Sequence, residues 1–168
     1  MVLSRLTNQA PTVFKIVSSK VMMVRIFLYF NRQFPELYPQ VLKILFTLFK
    51  LKDKLKDFVD QYEININGFV KEAKGILEQS IQEWDRDSFI NVSGLISASL
   101  ESFPGTSSKY GDLIPDLTSI VKDKIDLERK NSAVLLAKLA RDEENKKLMN
   151  KHHTMEVLMS LGGNLTKK

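Results

Sequence analysis

The sequence predicts an all-α chain, and three observations carry that expectation. Apolar residues recur at spacings of three and four, and no stretch alternates with period two for long. Only five prolines and seven glycines fall among the 168 residues, which leaves room for long helices. Segments about forty residues apart resemble one another, so the helices are expected to stack as units rather than to fold separately.

The elements follow in order. Val13, Ile16, Val17, Val21, Val24 and Leu28 trace one apolar stripe, with Pro11 near its start, where proline is tolerated. The stretch from Asn31 to Pro39 breaks it. A second helix opens at Pro39 and runs through Leu42, Leu45, Phe46 and Phe49. A third spans about Lys52 to Glu63, with Leu55, Phe58, Val59 and Tyr62 on one face. Asn65 to Gly68 reads as a turn. Helix resumes from Phe69 to Trp84 through Val70, Ala73, Leu77 and Ile81. Asp87 is expected to cap a helix from Ser88 to Ser102. Pro104 to Ser108 is the clearest loop. Asp112 is then expected to cap a helix through Leu117 and Val121. Asp126 to Arg141 forms another, with a break near Asp142. Short helices at Glu143–Lys151 and Thr154–Leu161 follow, and Gly162 and Gly163 are expected to stop the last one.

The repeat is visible in residue matches. At an offset of 41, Leu117 falls on Leu158, Ser119 on Ser160 and Ile120 on Leu161. The same offset sets Leu95 on Leu136 and Ser99 on Ala140. A helix pair cannot bury its apolar face alone, and stacking a second pair on it does so.

Asn131 to Leu148 resembles the alanine-rich second helix and acid-and-asparagine turn of an armadillo repeat. Ile114 with Pro115, and Met155 to Leu161, resemble the helix that follows. The resemblance implies a right-handed armadillo/HEAT-like solenoid of about three to four units. It treats 1–168 as one domain, with 1–87 weakly repeat-like and 88–168 holding two clearer units. The final unit is also similar to the C-terminal helical module of ARID-containing subunits of SWI/SNF-type chromatin remodellers. The chain departs from nuclear-import adaptors of the armadillo class. Lys138 stands where a peptide-reading asparagine would sit, and Trp84 is the lone tryptophan in place of a ladder.

Composition sets further bounds. Hydrophobic residues make up 43% and charged residues 27%, as in folded domains. The absence of cysteine excludes disulfides, thiolate metal sites and a cysteine nucleophile. The net charge of +5 comes wholly from residues 1–35, where Arg5, Lys15, Lys20, Arg25 and Arg32 meet no acid. A basic, acid-free N-terminus also fits a mitochondrial transit peptide. Unbroken helical periodicity through Val13 to Phe30 favours a structural helix instead. Neither Val21–Phe30 nor Val41–Phe49 reaches the roughly twenty apolar residues a bilayer requires.

No motif for catalysis emerges, and the expectation is a non-enzymatic chain with no cofactor and no metal. His152 and His153 are adjacent, so they point to different sides of a helix and cannot chelate together. Asp85 and Asp87 sit beside Ser88 at a helix start, where capping accounts for them. No Gly-x-Ser-x-Gly elbow, phosphate loop or dinucleotide fingerprint is present. Lys50, Lys52, Lys54 and Lys56 scatter around a helix rather than forming a stripe.

What remains is a protein-docking scaffold or adaptor subunit of a larger assembly, working inside the cell in cytoplasm or nucleus. Its expected partner-binding residues are Met155, Leu158, Met159, Ile114 and Leu117 on the last helix of each unit. The alternative is a nucleic-acid or anionic-membrane-surface binder using the basic N-terminal helix and the lysines Lys146, Lys147, Lys151, Lys167 and Lys168. The first helix is too apolar for a polar cap. The chain is therefore expected to be cut from a longer solenoid or to pair with a second copy.

Overall fold

The computed structural model describes residues 44–45 and 66–165. Expectations for the helices before residue 65, the basic N-terminus, the lysine run at 50–56 and the final lysines lie outside the described residues, except that Ile44 and Leu45 are helical and buried. The described residues form six α-helices and one 3-10 helix, and no strand occurs among them. In chain order these are α1 (Ile66–Gln82), α2 (Arg86–Ser102), the 3-10 helix Pro104–Leu113, α3 (Ile114–Asp123), α4 (Asp126–Leu139), α5 (Glu143–Lys151) and α6 (Thr154–Leu165).

Helix starts differ from the sequence expectation for identifiable reasons. Helix α2 is capped by Asp85, not Asp87. The Asp85 carboxylate accepts from the Ser88 backbone N–H at 3.2 Å and from the Ser88 hydroxyl at 2.6 Å. Those two bonds, the hydroxyl's first, hold the Asp85 carboxyl below the usual carboxylate range. Asp112 does not cap α3, which starts at Ile114 with Pro115 in its first turn; its carboxylate pairs with Lys74 of α1 instead. The expected loop after Pro104 winds into the 3-10 helix, and the expected turn at Ile66 to Gly68 is already α1. Gly162 and Gly163 do not stop α6, which continues to Leu165. At the other corners the sequence reading agrees: Trp84 ends the α1 segment, and Asp142 caps α5 by accepting from the Asn145 N–H at 3.0 Å.

Packing follows a regular scheme. Helix α1 packs on α2, α2 on α4, α3 on α4 and on α6, and α5 against the 3-10 helix. Three of these pairings join elements about one interval apart in sequence. Arg86 to Asp126 and Ile114 to Thr154 are forty residues each, one fewer than the offset read from the sequence. Polar contacts tie the same pairs. Asn131 Nδ2 donates to Ile90 O at 3.0 Å, Lys138 Nζ to Ser97 O at 2.6 Å, and the Thr118 and Thr154 hydroxyls meet at 2.8 Å. The core between the layers is apolar and continuous. Phe89, Leu95 and Ile96 of α2, Leu117 and Val121 of α3, and Leu135, Leu136 and Leu139 of α4 are all sealed from solvent.

Two of the three described corners with non-glycine backbone in the left-handed region are at Trp84 (φ 47°) and Asp126 (φ 55°). They sit against each other across the layers. The Lys124 ammonium lies 3.8 Å from the centre of the Trp84 ring, and that ring packs on Phe89 with centroids 5.9 Å apart.

One buried polar side chain joins three elements. Asn145 of α5 donates from Nδ2 to Ser107 O at 3.0 Å in the 3-10 helix and to Leu139 O at 3.1 Å at the end of α4. Gly111 packs directly on it: a Cβ there would stand 2.6 Å from Asn145 Oδ1. We expect Gly111→Ala to destabilise the fold by about 1–3 kcal/mol in denaturant unfolding. Asn145→Ala should cost a similar amount by removing the buried amide that donates to the Ser107 and Leu139 carbonyls. In the double variant the clash partner is gone, so the combined loss should fall well short of the sum. Strict additivity would show that the two residues do not meet. Separately, Leu136→Asp should abolish cooperative melting, because it places an unpaired carboxylate among wholly buried neighbours. A melting temperature within a degree or two of wild type would contradict the core assignment.

Candidate functional site

Helix α6 carries the sequence-chosen residues Met155, Leu158 and Met159. Its first residue, Thr154, is completely buried against Thr118 of α3, and Val157 and Leu158 are half-buried against the core. That contact fixes which side of α6 faces outward. Met159 is 72% exposed and Met155, one turn earlier, 46% exposed. The two methionines therefore make a surface patch. Ile114 and Leu117 do not join it. Both are fully buried in α3, which packs against α4, α5, α6 and the 3-10 helix. As surface candidates they are corrected: they belong to the core that supports α6.

The structure also exposes apolar residues that sequence reasoning passed over. Leu127 (43% exposed) and Val134 (41%) lie two turns apart on the open side of α4. The missed signal was available in the spacing. Leu127 and Val134 fall out of phase with Leu135, Leu136 and Leu139, and one helix cannot turn both sets toward the same core.

The lysines and histidines are placed as follows. Lys146 pairs with Glu143 at 2.5 Å and Lys147 with Glu144 at 2.6 Å, both along one face of α5. Each acid offsets the charge that a phosphate would read. Lys138 is held between the layers, paired with Glu101 at 2.9 Å as well as bonded to Ser97 O; Arg141 reaches the same carboxylate at 3.5 Å. His152 ends α5. His153, exposed and in the left-handed region (φ 55°), pairs through Nδ1 with Glu156 at 2.7 Å. Among the described residues no group of three or more His, Cys, Asp or Glu side chains is arranged to hold a metal ion. No described helix is long and apolar enough to cross a membrane. Several serines of the core spend their hydroxyls on the preceding turn: Ser80 donates to Leu77 O and Ser99 to Ile96 O. The Tyr110 phenol, sealed from water, is pushed above its usual range and stays neutral.

No family model, curated protein or solved structure matches this chain.

One ion pair links the corner at Trp84 to α4. Arg86 Nε donates to Glu128 Oε1 at 2.5 Å, and this hydrogen bond holds the Glu128 carboxyl below its ordinary value. A depressed carboxyl pKa contributes stability above its unfolded value, near 4.3 for glutamate. That contribution is lost as pH falls through the lower folded value. Wild type should therefore melt above Glu128→Gln at pH 7, and the gap should close as the solution is acidified below the usual glutamate range. A gap that stays constant across that range would mean the pair contributes nothing through charge.

Proposed function

We propose that this chain is a non-enzymatic helical-repeat scaffold that docks a protein through the methionine face of α6. The observation that carries the reading is the exposure of Met155 and Met159 on a helix whose opposite side is locked into the core. Methionine is flexible and polarisable, which suits a surface that must fit a partner's apolar side chains. Contiguous exposed apolar side chains on a folded domain mark interaction sites.

Support for a stacked, armadillo-like unit comes from the three pairings set about forty residues apart and the hydrogen bonds that tie them. The interval also bears on the methionines. Forty residues before Met155 and Met159 stand Pro115 and Ser119, which are half-buried and exposed. The methionine side thus corresponds to the outward side of the preceding unit, not to the side that a stacked neighbour covers. On this reading the chain is an adaptor in a larger assembly within cytoplasm or nucleus, in line with its resemblance to armadillo-type and chromatin-remodeller helical modules. The electrostatic alternative is weakened by the acids that pair Lys146 and Lys147.

The test is co-precipitation from cell extract with the full chain, alongside light scattering. Met159→Asp should abolish the recovered partner while leaving helicity unchanged, and binding should persist at about 0.5 M salt, where surface charge is screened. Binding that survives Met159→Asp, but is lost at that salt or on neutralising Arg5, Lys15 and Lys20, would assign the function to electrostatics instead.

A further inference from the structure

We infer that the open side of α4 receives an acid-flanked amphipathic helix from another protein, laid along α4 as α4 is laid along α2. The inference rests on the stacked-unit reading above and concerns a different surface from the methionines.

Helix α2 meets α4 through one stripe of residues at spacings of three and four. Arg86 bonds Glu128, the Ile90 carbonyl and Ser93 hydroxyl accept from Asn131, and the Ser97 carbonyl and Glu101 carboxylate accept from Lys138. Contacts at the start of α2 go to the start of α4, and contacts at its end go to the end of α4. The two helices therefore run in the same direction.

Forty residues on, the stripe from Ile90 to Glu101 becomes Lys130, Ala133, Ala137 and Arg141. In α2 the middle of the stripe, Ser93 and Ser97, is buried under α4. In α4 its counterpart is open: Lys130, Ala137 and Arg141 are exposed and Ala133 is half-buried, with Leu127 and Val134 exposed alongside. Small residues in the middle leave room for a second backbone to approach, as the two serines do for α4.

The charges specify the occupant. The α2 stripe ends on Glu101, and α4 meets it with Lys138. The α4 stripe ends on Arg141, which touches Glu101 through one Nη at 3.5 Å and stays 55% exposed, so the helix that covers it must bring a further acid to that place. Where α2 has Ile90, met by Asn131, α4 has Lys130, which calls for a second acid. Asn131 and Lys138 are seven residues apart, two helical turns, with the fully buried Leu135 between them. The occupant is thus a helix with an acid, an aliphatic residue four positions later and a second acid three beyond that. A second copy of this chain is a poor candidate. Matched face to face, it would set Lys130 and Arg141 against their own likes. Among the described residues the one helix with acids spaced seven apart is α3, at Asp116 and Asp123, and the aliphatic residue between them, Ile120, is in its own core.

The chain has no cysteine, so Ala137→Cys in the full-length protein gives a single thiol on this face. It should react with maleimide at the rate of an exposed thiol. An alanine-rich helical peptide with Glu, Leu and Glu at positions i, i+4 and i+7 should protect it. The half-protecting concentration should be about tenfold lower than for the same peptide with lysines in place of the acids. Adding Arg141→Glu should abolish or reverse that preference, with circular dichroism confirming the fold. A thiol that is unreactive in the free protein would overturn the inference, because the protein itself would then cover the face. Equal protection by both peptides, no protection by either, or a preference unmoved by Arg141→Glu would overturn it as well. The two surfaces fail separately. Protection here, with partner recovery unchanged by Met159→Asp, would defeat the methionine reading alone; the reverse pattern would defeat this inference alone.

Discussion

Asn145 is the constraint on which the arrangement of the later helices depends. A helix ends with carbonyls that have no partner within it, and burying such an end without donors is costly. The end of α4 is buried between the 3-10 helix and α5. Its Leu139 carbonyl receives the Asp142 N–H at 3.1 Å and the Asn145 amide. Because the same amide also reaches Ser107 O, the end of α4, the start of α5 and the 3-10 helix are held in one relative position. Gly111 is part of that constraint, since only a residue without a side chain lets the 3-10 helix approach so closely. Aliphatic packing alone would permit these short elements to slide, whereas a buried amide bonded to two of them at once does not.

The layers then follow from a second set of side chains that cross between helices. Asn131, Lys138 and the pair Arg86–Glu128 fix how α4 lies on α2, and Thr118 with Thr154 fixes how α6 lies on α3. Each is polar, and each sits at or beside the edge of an apolar contact. The apolar area supplies most of the driving force, and the polar contacts select the register. This division has a functional consequence. Once Thr154 is held against α3, Met155 and Met159 have no place in the core and face outward. Once Asn131 and Lys138 are held against α2, Val134 and Ala137 lie open. Both apolar surfaces are therefore products of register, not of composition.

Much of this was legible in the sequence. Spacings of three and four marked the described helices, and Leu95, Leu117, Leu135 and Leu136 are in the core where an amphipathic pattern places them. The acids at 85 and 87 were recognisable as a cap, although which of the two performs it depends on local backbone angles. The Asn65 to Gly68 turn and the glycine stop at 162 and 163 misled because propensity is a weak guide where neighbouring turns already hold the helix.

What the sequence by itself determined is the helical character of the described chain and the apolar identity of its helix faces, because these depend on spacing along one strand of backbone. What only the tertiary structure decided is which apolar residues are spent inside. Ile114 and Met155 look alike as candidates for a surface. The fold buries the first in the core and leaves the second exposed, with Thr118 and Thr154 bonded to each other where α6 meets α3. Which faces meet between α2 and α4 was decided in the same way. A shift of one residue turns a helix face by about 100°, and only contacts between helices register that rotation.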